Sequence, residues 1–199
     1  MAESDRNDGH GRPVRGGGTH AVLARPADAG ASSYCRDRLA AGGRPASAPI
    51  VVLADGHADR SAPVADRQGR PGVVVAVGQG TASGASADPT ADAQADAPAT
   101  VSTTGDLATV GRTVDDYLTT WSSSGYRPVV CVDSLSGLFE HGTIQGAYRF
   151  LYVLRRRLDV LGGDLHVHVN PRAHEEEIIR TFLAVADRTV SFGDGGPLP

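Results

Sequence analysis

The chain has 199 residues, a formal net charge of −4 and no lysine, so all 19 basic residues are arginine. That length fits one domain with a real core, and the mild acidity argues against a general nucleic-acid binder, which carries a basic face. No stretch approaches the roughly 20 apolar residues of a membrane span. Residues 1–18 lack the apolar core of a signal peptide, so a cytoplasmic protein is expected. Aspartate outnumbers glutamate 18 to 5. With the missing lysine this points to a GC-rich genome and a salt-loving host, because carboxylate-rich surfaces suit high salt.

Residues 1–18 are polar and glycine-rich and read as a disordered lead-in. Short β-branched runs then alternate with helical segments, the pattern of a parallel α/β sheet. A strand is expected at 20–24, a helix at 32–41, and strands at 50–54 and 73–77. Their near-continuous apolar runs suit strands covered on both faces. From 78 to about 100 the composition collapses to Ala, Asp, Ser, Thr, Gly and Pro. Such a stretch buries too little to order itself and reads as a disordered insertion within one domain, with a short extended piece at Val101 rejoining the sheet.

Asp106 then caps a helix whose apolar stripe is Leu107, Val110, Val114, Tyr117, Leu118 and Trp121. A strand at 129–132 leads to Asp133. A helix over 143–161 carries Ile144, Ala147, Tyr148, Leu151, Leu154, Leu158 and Leu161 at helical spacing, and Gly162-Gly163 closes it. After a strand at 165–169, Asn170-Pro171 reads as an N-cap with proline at the first helical position. It opens a helix to about 186, with Glu175, Glu176 and Glu177 early, where the dipole favours them. A last strand at 189–192 precedes a loose tail, 193–199.

The connection after the first strand reads Arg25-Pro26-Ala27-Asp28-Ala29-Gly30-Ala31-Ser32. A phosphate-cradling loop reads G-x-x-x-x-G-K-[ST] between a strand and a helix, with the lysine reaching the outer phosphates. In that alignment Arg25 replaces the first glycine, Ala31 replaces the lysine, and Asp28 adds negative charge. Gly30 and Ser32 match. A charged hydrogen bond is worth roughly 1.5–3 kcal/mol, so the alanine forfeits on the order of ten- to a hundredfold in affinity. Catalysis loses more, because phosphoryl transfer rests on positioning and positive charge. Two readings stay open: a disabled phosphate loop with Arg25 as a substitute cation, or a strand-to-helix connection that never held phosphate.

Several segments then carry a resemblance. Val129-Val130-Cys131-Val132-Asp133-Ser134-Leu135-Ser136 resembles the Walker B strand of RecA-type ATPases, KaiC-like ones above all, and residues 186–192 resemble the final Ala-Asp and strand of that core. Gly105-Asp106-Leu107, the run 148–154, and His166-Val167-His168-Val169-Asn170-Pro171 followed by His174 resemble haloarchaeal KaiC-like proteins with a degenerate phosphate loop. The likeness is good over 106–192 and weaker before it, and Asn170 stands where that group has aspartate. It implies a single RecA/KaiC-like α/β domain with a mostly parallel, helix-flanked sheet. It also implies vestigial nucleotide contacts at Arg25, Gly30, Ser32, Asp133 and Ser134, where Asp133 would hold Mg²⁺ through water. KaiC-like enzymes carry paired glutamates after the second strand; here Ala54-Asp55-Gly56-His57 offers none. Without cation and base, hydrolysis is not expected.

The bland readings stand beside these. Asp133 lies at the carboxyl end of a central strand, where open α/β sheets bind ligands, yet it also suits a turn cap. His166 and His168 face one side of their strand, and with His174 three imidazoles would make a metal site with an open position; the alternative is three histidines bonded to neighbours beneath a helix. Arg155-Arg156-Arg157 suits a helix C-terminus and a solvated face, or contact with an acidic partner. Cys35 and Cys131, in apolar contexts, read as buried thiols without a disulfide. Trp121, Tyr148, Phe150 and Tyr152 read as packing.

The reading reached is a non-catalytic ATPase-fold protein, a regulatory or signalling module acting through its surfaces. Expected partners are proteins, a second copy of the chain among them, with no membrane, no nucleic acid and no resident cofactor. One alternative is a nucleotide-binding protein that takes ATP and Mg²⁺ through Arg25, Ser32 and Asp133. The second is a metal-dependent enzyme built on His166, His168 and His174.

Overall fold

The computed structural model describes residues 18–24, 28–39, 46–54, 71–77, 99–103 and 106–192. Among the described residues seven strands form one sheet: β1 Thr19–Leu23, β2 Ser47–Leu53, β3 Val73–Val77, β4 Ala99–Thr103, β5 Arg127–Val132, β6 Asp164–Val169 and β7 Arg188–Ser191. Their order is β4-β3-β2-β5-β6-β1-β7, and every pairing is parallel. The helices are α1 Ala29–Leu39, α2 Leu107–Ser123, α3 Leu135–Glu140, α4 Ile144–Leu161 and α5 Glu176–Leu183. The chain is therefore a single α/β domain with a helix-flanked parallel sheet.

Strand residues alternate between the two faces. Ile50, Val52, Val73, Val75, Val130, Val132, Leu165 and Val167 point to the face covered by α2, α3, α4 and α5, which is the main core. Val51, Val74, Val129 and Cys131 point to the other face, beneath Cys35 and Leu39 of α1. Both faces are buried, which is why the strands lack polar alternation.

The helix signals behave as their chemistry dictates. Asp106 accepts from the Ala108 amide at 3.0 Å and from the Thr109 hydroxyl at 2.9 Å; these donors, the Ala108 amide first, hold its carboxyl below the usual range. Thr143 caps α4 through the Gly146 amide. Gly162 closes it in the left-handed region at φ 66°, which glycine adopts without penalty. Gly163 has a different reason to be glycine: a Cβ there would lie 2.6 Å from the Pro128 carbonyl oxygen.

Three local expectations are corrected. Helix α1 begins at Ala29 instead of 32. The six-residue α3 was not foreseen, because one and a half turns show no periodicity; Ser134 caps it by accepting from the Gly137 amide at 3.0 Å. Asn170-Pro171 does not open a helix: Asn170 Oδ1 accepts from the Arg172 amide at 3.1 Å, an Asx turn, and α5 starts at Glu176. The extended piece at Val101 is strand β4, paired with β3. Residues 1–17 of the proposed lead-in, most of the insertion at 78–100, and the tail at 193–199 lie outside the described residues.

The arginine run is not a bare solvated face. Arg155 donates to the Val185 carbonyl and to Asp187, each at 2.5 Å. Arg157 donates to Asp115 at 2.6 Å and to Thr119 at 2.7 Å. Helix α4 is thus tied to the segment before β7 and to α2. Trp121 and Phe150 are buried, whereas Tyr152 is exposed.

Candidate functional site

The described residues of the phosphate-loop alignment lie at the carboxyl edge of the sheet, after β1. Arg25, the substitute cation, lies outside the described residues. Helix α1 opens with Asp28, whose Oδ1 accepts from the Ala31 amide at 2.9 Å while its carbonyl accepts from the Ser32 amide at 3.0 Å. A helix N-terminus binds phosphate because its first amides are unsatisfied and its dipole favours an anion. Here a carboxylate of the chain itself fills that position. Ala31, aligned with the missing lysine, is buried with Val22 and Ala24, against which Tyr34 and Phe192 pack. Gly30 lies against Phe192, so that a Cβ there would stand 2.9 Å from the ring. Ser32 is half-buried on the first turn.

Asp133 and Ser134 stand at the end of β5. Asp133 is buried, and its Oδ1 accepts from the Ala54 amide at 2.7 Å, which bolts the end of β5 to the end of β2. Ser134 caps α3. Both side chains therefore have structural partners, and Asp133 ties two strand ends together through the Ala54 amide, which is a different role from capping the turn after its own strand. Asp55 and His57 lie outside the described residues. His141 places Nε2 3.2 Å from the Ala54 carbonyl, close to this corner.

The histidines divide between the two faces. His166 and His168 point from β6 to the α1 side and are buried. His174 does not join them. Its Nε2 lies 2.8 Å from Ser136 Oγ and its ring meets Phe139 edge-on at 4.8 Å, and Phe139 packs on the main core. The three-histidine site is not assembled, because the turn after β6 carries His174 past the sheet edge to the opposite face.

What gathers beneath α1 is a different set. Cys35 of α1 and Cys131 of β5 bring their sulfurs to 2.8 Å, well beyond the roughly 2.05 Å of a disulfide. One ligand atom each from Cys35, Cys131 and His168 lie within 4.8 Å of one another, and all three residues are buried. None of the four ring nitrogens of His166 and His168 makes a well-formed hydrogen bond, though both rings lie close enough to Cys35 to favour its thiolate. Contact with Cys131 first, then with these rings, holds the Cys35 thiol well below its ordinary value against the opposing effect of burial.

At the rim of this set His20 shares a 2.5 Å hydrogen bond with the Tyr34 hydroxyl, and its ring centroid lies 5.4 Å from that of His166. Burial first, then His166 and Arg38, push His20 down to about 4, so it is neutral near pH 7. Burial raises the Tyr34 phenol.

On the opposite side of the sheet, an open groove of about 1,100 Å³ runs between α2 and α4. Leu107, Phe150 and Val153 line it with Arg112, Arg149 and Asp116. Nearby on α4, Tyr152, Val153 and Val160 are exposed. Neither the groove nor the thiol pair was visible in the sequence. The groove arises from helix packing, and the two cysteines are 96 residues apart.

Residues 18–192 match DUF7504, a family of unknown function, and the chain belongs to that family. No curated protein matches it.

Proposed function

We propose that this DUF7504 member is a non-catalytic, RecA/KaiC-like ATPase-fold protein that acts as a regulatory or interaction module. The observation that carries this reading is the Asp28 carboxylate on the first-turn amide of α1. A γ- or β-phosphate brought there would meet a negative charge already bound to the donor it needs, with alanine in place of the ammonium group. Asp133, the residue that would hold Mg²⁺, is buried and commits Oδ1 to the Ala54 amide just after β2. The strand order supports the fold resemblance, since β6 separates the strand that enters the loop from the strand that ends in Asp133. The surface offered to a protein partner is the groove between α2 and α4, whose apolar floor and mixed charged rim suit a peptide segment.

Phosphate release from Mg·ATP tests the reading directly. The full chain is expected to release phosphate no faster than buffer alone, and Asp133→Asn is expected to leave that rate unchanged. Turnover that Asp133→Asn abolishes would contradict a non-catalytic role.

A further inference from the structure

We infer that Cys35, Cys131 and His168 form a buried binding site for a soft divalent cation, zinc foremost, which staples α1 to the centre of the sheet. The three ligands come from three elements: α1, β5 and the neighbouring β6. They converge because the period of a strand turns Cys131 and His168 toward the same face and α1 lays Cys35 across them. Their ligand atoms lie within 4.8 Å of one another. A tetrahedral ion with bonds of about 2.3 Å to sulfur and about 2.0–2.1 Å to nitrogen holds such atoms about 3.5–3.8 Å apart. The sulfurs, at 2.8 Å, part by about 1 Å through a small side-chain rotation to admit the ion.

The independent observation is the state of the histidines. His168 is 5% exposed and His166 is wholly buried, and none of their four ring nitrogens makes a well-formed hydrogen bond, although both rings lie close to the Cys35 sulfur. A buried polar atom without a well-formed hydrogen bond is costly, because it has lost its bonds to water. Oxidation of the two thiols to a disulfide would leave all four nitrogens as they are. A cation takes up one nitrogen of His168 directly, and His166, two residues back on the same face, lies close to Cys35 at the edge of the three-ligand set.

Charge supports the assignment. Two thiolates and one divalent ion sum to zero, so the loaded site is neutral where an unpaired charge would be expensive. Thiolate and imidazole ligands select zinc over magnesium or calcium, which take oxygen ligands. The site also lies away from the Asp28 edge and does not depend on the reading of the nucleotide loop. Because it is buried, its role is structural: the binding energy of such an ion is folding energy.

The experiment is elemental analysis of the full chain purified without chelator and without added metal, followed by removal of metal and titration with Zn²⁺ and Co²⁺. Zinc close to one per chain is expected, together with a thiolate-to-cobalt charge-transfer band when Co²⁺ replaces it. His168→Gln keeps the side-chain volume and both thiols. In competition with a chromogenic chelator it is expected to bind zinc at least 100-fold more weakly, more than the roughly 10–100-fold that loss of an outer-shell partner costs. Should His168→Gln fail to fold, the wild-type stoichiometry and cobalt spectrum still decide. Only trace zinc and no charge-transfer band from a chain that circular dichroism shows to be folded would overturn the site. So would a Cys35–Cys131 disulfide in protein prepared without oxygen.

Discussion

Replacing Ala31 by lysine restores no nucleotide binding and lowers stability by about 3 kcal/mol or more. The substitution supplies the one side chain that the phosphate-loop alignment lacks, so a latent site would gain from it. The structure makes the opposite outcome the expected one. Ala31 is 1% exposed and packs among Val22 and Ala24 with Tyr34 and Phe192 alongside. Extra methylenes in a packed core cost about 1–3 kcal/mol, and an ammonium group drawn in with them adds several more unless it finds an acceptor. The nearest candidate, the Asp28 carboxylate, already accepts from the Ala31 amide. Urea denaturation gives the stability change, and the same variant titrated with Mg·ATP gives the binding. Unchanged stability with micromolar affinity would mean that the first turn of α1 remains a phosphate site.

Trp121→Ala is expected to cost about 3–5 kcal/mol, the range for deleting a large aromatic from a core. Trp121 is wholly buried on the face of α2 that covers the sheet, and its ring meets Tyr117 at 5.0 Å in an edge arrangement. Such a pair adds about 0.5–1.5 kcal/mol beyond its buried area. Total stability of a domain is typically about 5–15 kcal/mol, so this one change removes a large share of it. Because the chain has a single tryptophan, circular dichroism in urea is the measurement of choice. Val153→Ala, on an exposed position of α4, is the control and is expected to stay within about 0.5 kcal/mol of wild type. A Trp121→Ala variant as stable as that control would mean that α2 does not pack as described.

Much of the fold was legible because its signals are local. The apolar runs 73–77 and 129–132 read as doubly covered strands, and both are. Asp106, Thr143 and Gly162 mark helix ends through side-chain oxygens or a left-handed backbone, which residue identity alone reveals. Where two local signals compete, the sequence misleads. Asn170-Pro171 suits a helix start, but the Asx turn satisfies the same asparagine, and the helix waits for Glu176. Asp28 is the more instructive case. Aligned as part of a phosphate loop it is a misplaced charge; in the structure it is the cap that starts α1 three residues earlier than expected.

The buried cluster was half legible. Strand period alone sets His166 and His168 on one face. Their companions follow from tertiary packing, which brings α1 over β5 and sends His174 around the sheet edge. Nothing in the chain near 166–174 points to Cys35 or Cys131. Arg155 and Arg157 are similar: their partners Asp187 and Asp115 lie 32 and 42 residues away.

Calorimetric titration of the full-length chain with Mg·ATP is the most direct measurement of whether the opening of α1 is closed to phosphate. With the Asp28 carboxylate in place, no saturable binding tighter than about 1 mM is expected, an affinity of about −4.1 kcal/mol. A one-to-one complex of micromolar affinity that Arg25→Ala abolishes would show that the loop holds a triphosphate after all.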